Sequence, residues 1–482
     1  MREISIPFGE KRVAAFLPKG SEILHMAAVE ALADPAAELV RALSEPIGAP
    51  PLALIARELV EGRRRTSAPG PRACIVVSDS TRPVPYAGPG GILLPILRVL
   101  LDAGFPASAV DVLVATGTHR PMGRDELATM LGPEALALGV HVVNHDCRDE
   151  ANLVDIGRTS RGTRARINRL YARADLKILT GLVESHFMAG ASGGRKAICP
   201  GILGEEGTHV FHSAALMAHP LARDLVLEGN PVHEESLAVA RMAGADFIVN
   251  VTLDGVFRTT GIFAGSLEAA HEAAVAKLRS YVGIPLREPF DLVVTHGGHV
   301  GLNHYQAAKA AVAALGALKQ GGGLILVADN HDPGPVGSDR YRTLISLLKL
   351  VGPEAFDRIL ASPDWTFVPE QWQVQMWAKV FKKIAMRDFT YFAPQLDDRD
   401  WRDLPGRDGG ARLSPPKNSA PDLADSAAVV AGAVQAFLTE RGFTSADLAE
   451  GRCRVAYLAD GPYGIPYAVG ESENPPGPVS RR

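Results

Sequence analysis

Along most of this chain, apolar runs of strand length alternate with segments whose apolar residues recur at helical spacing. ACIVVSD precedes GILLPILRVLLDAG, VDVLVATG precedes RDELATMLG, VHVVNHD and LKILTGLV follow, and DFIVNVTLD leads into LEAAHEAAVAKLRSYVG. That alternation admits few folds. It predicts α/β architecture with largely parallel sheets, whose ligands gather beyond the carboxyl ends of the strands. After the turn signal VGIPLREP the pattern restarts with FDLVVTHGG, a helix from about Tyr305 to Leu318, the strand GLILVAD, and helices around YRTLISLLKLVG and QWQVQMWAKVFKKI. At 482 residues the chain exceeds one compact core, since domains run to roughly 150 residues. The boundary is expected between Pro285 and Pro289, giving an N-terminal catalytic and cofactor-binding domain, 1–287, and a C-terminal domain, 288–482. Within the latter, Asp398 to Pro421 reads as a surface loop, AAVVAGAVQAFLTERG as a helix and GESENPPGPVSRR as a disordered tail.

Composition narrows the function. A net charge of −4 favours neither nucleic acid nor an anionic membrane, which leaves a small-molecule substrate. MREISIPFGEKRVAAFLP alternates like a strand and lacks a secretory pattern, and no apolar run approaches the roughly 20 residues of a membrane helix, so the expected location is cytoplasmic. Cys74, Cys147, Cys199 and Cys453 are scattered without a CxxC pair. That argues against structural zinc or a disulfide framework, and leaves histidine as the main protein ligand for any metal.

Polar clusters stand where the expected strands end: SDSTRPVP (Ser78–Pro85), ATGTHRPM (Ala115–Met122), SHFMAGASGGRKAICPG (Ser185–Gly201) and HVFHSAALMAHP (His209–Pro220). A fifth, NHYQAAKA (Asn303–Ala310), opens the first helix of the second domain. If the two α/β domains face each other across an active-site cleft, the five converge. Each cluster alone also has an ordinary structural reading. Asp79 and Arg82 suit a surface ion pair worth under about 1 kcal/mol, His119 a structural hydrogen bond, and Tyr305, Gln306 and Lys309 a solvated helix start. His209 and His212 lie one helical turn apart, where two ligands can share a metal, though such pairs also arise by chance. The weight comes from finding all of these at strand-to-helix junctions.

The glycine-rich loop is the most specific feature. Because Gly193 and Gly194 lack Cβ atoms, Ser192-Gly193-Gly194 can turn backbone N–H groups onto a phosphate, and Lys196 then serves as its partner or as a nucleophile. An ATP-binding P-loop needs G-x-x-x-x-G-K-[ST], but GASGGRKA puts Arg195 at the second glycine and Ala197 at the hydroxyl position. An ATPase or phosphotransferase is therefore disfavoured, and a mononucleotide site with Lys196 at its reactive end stays open.

SDSTRP, ATGTHRPM, SHFMAGASGGRKAICPGI, the following FHS, GNPVHE and YQAAK, in this order over roughly Pro71 to Lys309, resemble the nickel-dependent lactate racemase family. Its members interconvert the stereoisomers of 2-hydroxy acids. The resemblance implies a cofactor, the nickel-pincer nucleotide (pyridinium-3,5-bisthiocarboxylic acid mononucleotide), joined to Lys196 through a thioamide and supplied by cofactor biosynthesis enzymes. It further implies His212, sixteen residues after Lys196, as the protein ligand to nickel, and His119 and His186 as the two acid–base histidines. Asp79, Arg82, Tyr305, Gln306 and Lys309 map to substrate-binding and supporting roles. Ser192, Gly193, Gly194 and, with weaker motif support, Trp372 map to the cofactor's surroundings.

Such residues suit the reaction the resemblance implies. Removing the α-proton of a 2-hydroxy acid would put a carbanion beside a carboxylate, whereas hydride removal leaves a flat 2-oxo acid that can be reduced from either face. Two proton carriers on opposite sides are then required, and histidine, with a pKa near 6.5, gives and takes protons at neutral pH. Arg82 and Lys309 would anchor the carboxylate. The alternatives are C2 epimerisation of a sugar acid or larger hydroxy acid, and a non-catalytic nucleotide- or nickel-binding protein, which retention of His119 and His186 disfavours. The chain departs from the family pattern in GGHVGLNHYQ, which brings His299 and His304 to a helix start expected to line the pocket. Cys199, close to Lys196, reads as a small buried hydrophobe. After about Asp398 no motif matches.

Overall fold

A computed structural model describes residues 2–8, 11–66, 69–412 and 422–469. The tail expected to be disordered, Gly470 to Arg482, lies outside them, as do residues 413–421 of the expected loop. Two compact units emerge: one takes Ala28–His212 and His219–Ser280, the other Met1–Ala27, Ser213–Ala218 and Tyr281–Arg482.

The chain opens with a hairpin of β1 (Arg2–Phe8) and β2 (Lys11–Leu17), then the short β3 (Glu22–Leu24). The first unit follows with β4 (Ala73–Ser78), β5 (Val110–Ala115) and β6 (His141–Asn144), an antiparallel pair β7 (Leu153–Arg158) and β8 (Arg164–Asn168), then β9 (Leu176–Leu182). It continues with a two-residue ribbon, β10 (Ser185–His186) and β11 (Gly190–Ala191), and ends with β12 (Phe247–Leu253) and β13 (Thr259–Gly265). Its main sheet has the order β13-β12-β9-β4-β5-β6, parallel except for the hairpin partner β13. The strands ACIVVS and VDVLVA are buried along five of six positions because both faces of such a sheet are covered. Ile75, Val77, Val112, Val114, Ile178 and Val249 join one core with Leu93, Ile96 and Leu100 of the helix Leu93–Ala103. Full burial of each of these side chains is worth about 1.5–3 kcal/mol.

The second unit contains β14 (Gly283–Leu286), β15 (Phe290–His296), β16 (Leu318–Val327), β17 (Phe389–Phe392), β18 (Arg407–Asp408), β19 (Val455–Leu458) and β20 (Ile465–Ala468). Its sheet, β18-β17-β16-β15-β19-β3, is parallel throughout. Three sequence expectations change here. The first 27 residues, assigned to the N-terminal domain, belong to this unit, because β3 pairs with β19 and Ile4, Ile6 and Leu17 enter the core of Leu292, Val294 and Val434. The helix expected to reach Leu318 is α-helical from His304 to Ala313 and 3-10 to Ala317, and β16 takes Leu318 as its first residue. The expected loop after Asp398 contains the helix Asp400–Asp403 and β18, since Asp400 and Asp403 bind Arg342 at 2.7 and 3.1 Å and β18 extends the sheet beside β17.

Strand order creates a place for a site in each unit. In the first, the chain moves from β4 toward β5 and β6 on one side but from β9 toward β12 on the other, so the loops leaving β4 and β9 diverge. In the second, β15 and β19 flank the corresponding reversal. Such a switch point, at the carboxyl ends of the strands, is where open parallel sheets bind ligands.

Candidate active site

In the first unit the loops after β4, β5 and β9 meet at the switch point. Asp79, 5 % exposed, accepts from His119 Nδ1 at 2.7 Å, Thr81 Oγ1 at 2.5 Å and Thr81 N at 3.2 Å. Burial pushes the Asp79 carboxyl up, but His119, Thr81 and Arg82 outweigh it and the net shift is downward, so Asp79 is a carboxylate. A carboxylate only accepts, so His119 carries its proton on Nδ1 and presents the Nε2 lone pair from a ring more than half exposed. The surface pair expected between Asp79 and Arg82 does not form. Arg82 Nε meets Glu184 Oε1 at 3.2 Å instead, joining the loop after β4 to the loop after β9.

His186 stands the other way round. Its Nδ1 accepts from the backbone N–H groups of Met188 at 3.3 Å and Ala189 at 3.2 Å, which places the ring proton on Nε2. That Nε2 lies 2.9 Å from Lys196 Nζ, so Nζ accepts with the lone pair of an uncharged amine. Burial first, then the charges of Arg82 and Arg195, drive the lysine well below its ordinary value. His212 closes the helix Glu205–Phe211; burial, then Lys196 and His209, push its imidazole down to about 3. It is neutral at any working pH, the form that binds metal. His209 is also lowered, by burial. The Gly117 N–H donates to Gly201 O at 3.0 Å, which ties the His119 loop to the turn that follows Lys196.

The glycines do not form an open phosphate cradle. Ser192 Oγ donates to Leu182 O at 2.7 Å and accepts from Glu184 N at 2.9 Å, and the Gly194 N–H donates to Asn250 Oδ1 at 2.9 Å. Gly193 has φ +74, and a Cβ there would stand 2.6 Å from Val183 Cγ2; at Gly194, φ +49, it would stand 2.8 Å from the His271 ring. These three residues therefore fold the loop tightly against β9 and β12, and the group they deliver is Lys196. Asn250, Glu184 and His271 escaped the sequence reading. Only Asn250 left a signal, as a polar residue inside the buried run FIVNVTL. Cys199 is fully buried, which pushes its thiol up to about 12, so the reading as a small hydrophobe fits.

The second unit groups Tyr305, Gln306, Lys309 and Trp372. Asn303 caps the helix His304–Ala313 by accepting from Gln306 N at 2.8 Å, Trp372 Nε1 donates to Tyr305 Oη at 3.2 Å, and Gln373 Nε2 donates to Tyr305 O at 2.5 Å. Gln306 Oε1 is buried and has no hydrogen-bond partner among the described residues. His304, expected at the pocket wall, is wholly buried: its ring stacks on Trp377 with centroids 4.5 Å apart, and Nδ1 lies 2.8 Å from Tyr341 Oη. Packing on an aromatic core outweighs its place in the sequence. His299 is exposed.

Residues 8–224 match the profile of the lactate racemase N-terminal domain, and residues 287–390 that of the lactate racemase C-terminal domain. The lactate racemase of Lactiplantibacillus plantarum is 34% identical over 362 residues, 75% of this chain and 80% of that protein. The lactate racemase of Thermoanaerobacterium thermosaccharolyticum is 33% identical over 386 residues, 79% of this chain and 86% of that protein. Among solved structures, the lactate racemase apoprotein of T. thermosaccharolyticum aligns with a TM-score of 0.78 at 26% identity, over 97% of this chain and 100% of the other. A Thermotoga maritima protein aligns with a TM-score of 0.59 at 17% identity, over 88% and 100%, and shows the fold alone.

Proposed function

This chain belongs to the lactate racemase family, and from that premise we propose that it inverts C2 of a lactate-like 2-hydroxy acid with a nickel-pincer nucleotide attached to Lys196. One observation carries the reading: His119, held by Asp79 through Nδ1, offers the Nε2 lone pair, while His186, with Nδ1 taken by backbone N–H groups, carries its proton on Nε2 at 2.9 Å from Lys196 Nζ. An inversion through a flat intermediate needs one group of each kind, and the return reaction needs their roles exchanged.

The residues fit the cofactor. Burial shifts Lys196 toward the free amine, the form that can be acylated, and His212 toward the neutral imidazole. Among the described residues no three His, Cys, Asp or Glu side chains cluster to hold a metal, so a nickel bound at His212 would draw its other donors from a non-protein group. Once bound, the nucleotide supplies a hydride acceptor and donor for Cα.

The chain's own groups do the rest. Asp79 orients His119 and stabilises the imidazolium formed when Nε2 takes the hydroxyl proton, a contribution of the order of 10²–10⁴ in rate. With Nζ held in a thioamide its lone pair would no longer accept from His186, and the Nε2–H would be free to serve the substrate. Arg82, steadied by Glu184, binds the carboxylate. Within the second unit, taken by itself, Trp372 sets the orientation of Tyr305, and Gln306 keeps a buried acceptor without a partner among the described residues.

The test is production of the chain with the cofactor biosynthesis enzymes, then intact mass, metal analysis and a panel of chiral 2-hydroxy acids from lactate to sugar acids. Lys196→Ala should lose the adduct mass. His212→Ala should keep the adduct and lose most of the nickel. An unmodified Lys196 in the wild-type protein would defeat the reading.

A further inference from the structure

Arg195 is 1 % exposed, among the largest wholly buried side chains in the molecule, and its partners are neutral. Nη2 donates to Ala189 O at 2.6 Å, and Nη1 stands 3.1 Å from His271 Nε2. Guanidinium groups at such depth normally face a carboxylate, since an unpaired charge in a protein interior is costly. Acceptors are also too few. His271 Nε2 lies 2.9 Å from Ser192 O as well, and one ring nitrogen can donate to that carbonyl or accept from the guanidinium, not both. Arg195 Nε and the Nδ1 of His233 are buried without a hydrogen-bond partner among the described residues.

Both residues line one small cleft, together with Leu237, Glu268, His271 and Glu272. Its free volume of about 10 Å³ admits one body the size of a water molecule, which excludes phosphate, sulfate and carboxylates. Two helices begin at this cleft. His233 is the third residue of Pro231–Ala243 and His271 the third of Ala269–Val282, and their rings lie nearly parallel, 6.4 Å apart. The positive ends of both helix dipoles therefore add to the guanidinium. The same field opposes a proton on either imidazole, which would set a second cation beside the first. Of the two carboxylates, Glu268 is matched by Arg241 at 2.5 Å, and Glu272 is exposed to solvent.

We propose that this cleft is a binding site for one monoatomic monovalent anion, a halide such as chloride, which accepts from Arg195 Nε–H and from Nδ1–H of His233. Charge decides between ion and water: a water could take the same two hydrogen bonds but would leave the guanidinium unbalanced. Because Arg195 also holds Ala189 O, an ion here braces the glycine-rich loop from the side of the two helices. The motif GNPVHE thereby gains a role. Asn230 caps the first helix and donates to Met188 O at 3.0 Å, and the helix start presents His233 to the ion. The inference is independent of cofactor, nickel and substrate.

The test uses the full chain without cofactor. Crystals soaked in sodium bromide are measured at the bromine absorption edge, where an anomalous peak should stand within hydrogen-bonding distance of Arg195 Nε and His233 Nδ1. In solution, melting is followed by circular dichroism as sodium chloride replaces sodium gluconate at constant ionic strength, gluconate being too large for the cleft. At a hundred times its dissociation constant, chloride raises the folded-to-unfolded ratio about hundredfold, an increase of roughly 5–10 °C in a unit of this size. His233→Phe removes one donor and should move the chloride midpoint at least about tenfold higher. Leu237→Trp, at a half-buried position, fills the cleft and leaves both donors in place, and should melt at the same temperature in either salt.

A cleft without an anomalous peak, or one holding a water, overturns the proposal. A bromide peak without a chloride-dependent rise in melting means an adventitious ion only and overturns it too, as does a rise that Leu237→Trp retains in full. Failure of the functional reading appears elsewhere, as the absence of an adduct on Lys196 after production with the biosynthesis enzymes.

Discussion

Replacing Asp79 by asparagine changes one atom and reverses the logic of His119. The carboxylate accepts from Nδ1 at 2.7 Å; an amide nitrogen in that place donates, and two donors cannot face each other. The ring must then put its proton on Nε2, which removes the lone pair that takes the hydroxyl proton. Loss of a positioned base is worth about 10²–10⁴ in rate. Loss of a charge-assisted bond in a site 5 % exposed is worth about 1.5–3 kcal/mol. The Asp79 carboxyl is held below its ordinary value, so the wild-type group is ionised throughout the neutral range and the loss should be present at neutral pH. Chiral chromatography of lactate turned over by nickel-quantified protein measures the rate, and urea denaturation the stability. An asparagine variant within about threefold of wild type would mean that His119 does not depend on this carboxylate for its tautomer.

Gly194→Ala should cost about 1–3 kcal/mol, because a Cβ would lie 2.8 Å from the buried His271 ring and the backbone is left-handed at φ +49; calorimetry should find the first unit melting roughly 5–10 °C lower. Buried His271 and His304 are each pushed down to about 3. Between that value and the ordinary 6.5 the unfolded chain binds more protons, so stability is complete above about pH 6.5 and falls as pH drops, by up to about 1.4 kcal/mol per unit for each ring. Urea midpoints from pH 7 to 5 should show this, and a level profile would mean that the rings are not buried neutral. Lys309→Ala should raise KM and lower turnover while leaving adduct mass and nickel content intact; kinetics within about twofold of wild type would remove Lys309 from substrate binding.

The sequence by itself determined the kinds of element and the chemistry they carry. Runs such as ACIVVS and VDVLVA are too short and too continuously apolar for anything but covered strands, and the loop around Lys196, with its glycines and flanking histidines, marked the family. These are local signals, set by side-chain periodicity and by which residues a tight turn tolerates. Partnerships across long separations were decided by the tertiary structure. Asp79 meets His119 rather than Arg82, Arg82 meets Glu184, and Asn250 takes the Gly194 N–H. Strand order brought each pair together, and no local pattern encodes strand order. β3 lies 432 residues from Arg454, which nevertheless binds Glu22, so the first strand could not be assigned to the last sheet from its own composition. Burial decided the histidines: one imidazole in sequence looks like another, but His304 on Trp377 is core while His119 on Asp79 is exposed at a strand end. Which ring nitrogen holds the proton follows only from the neighbours that fold around it.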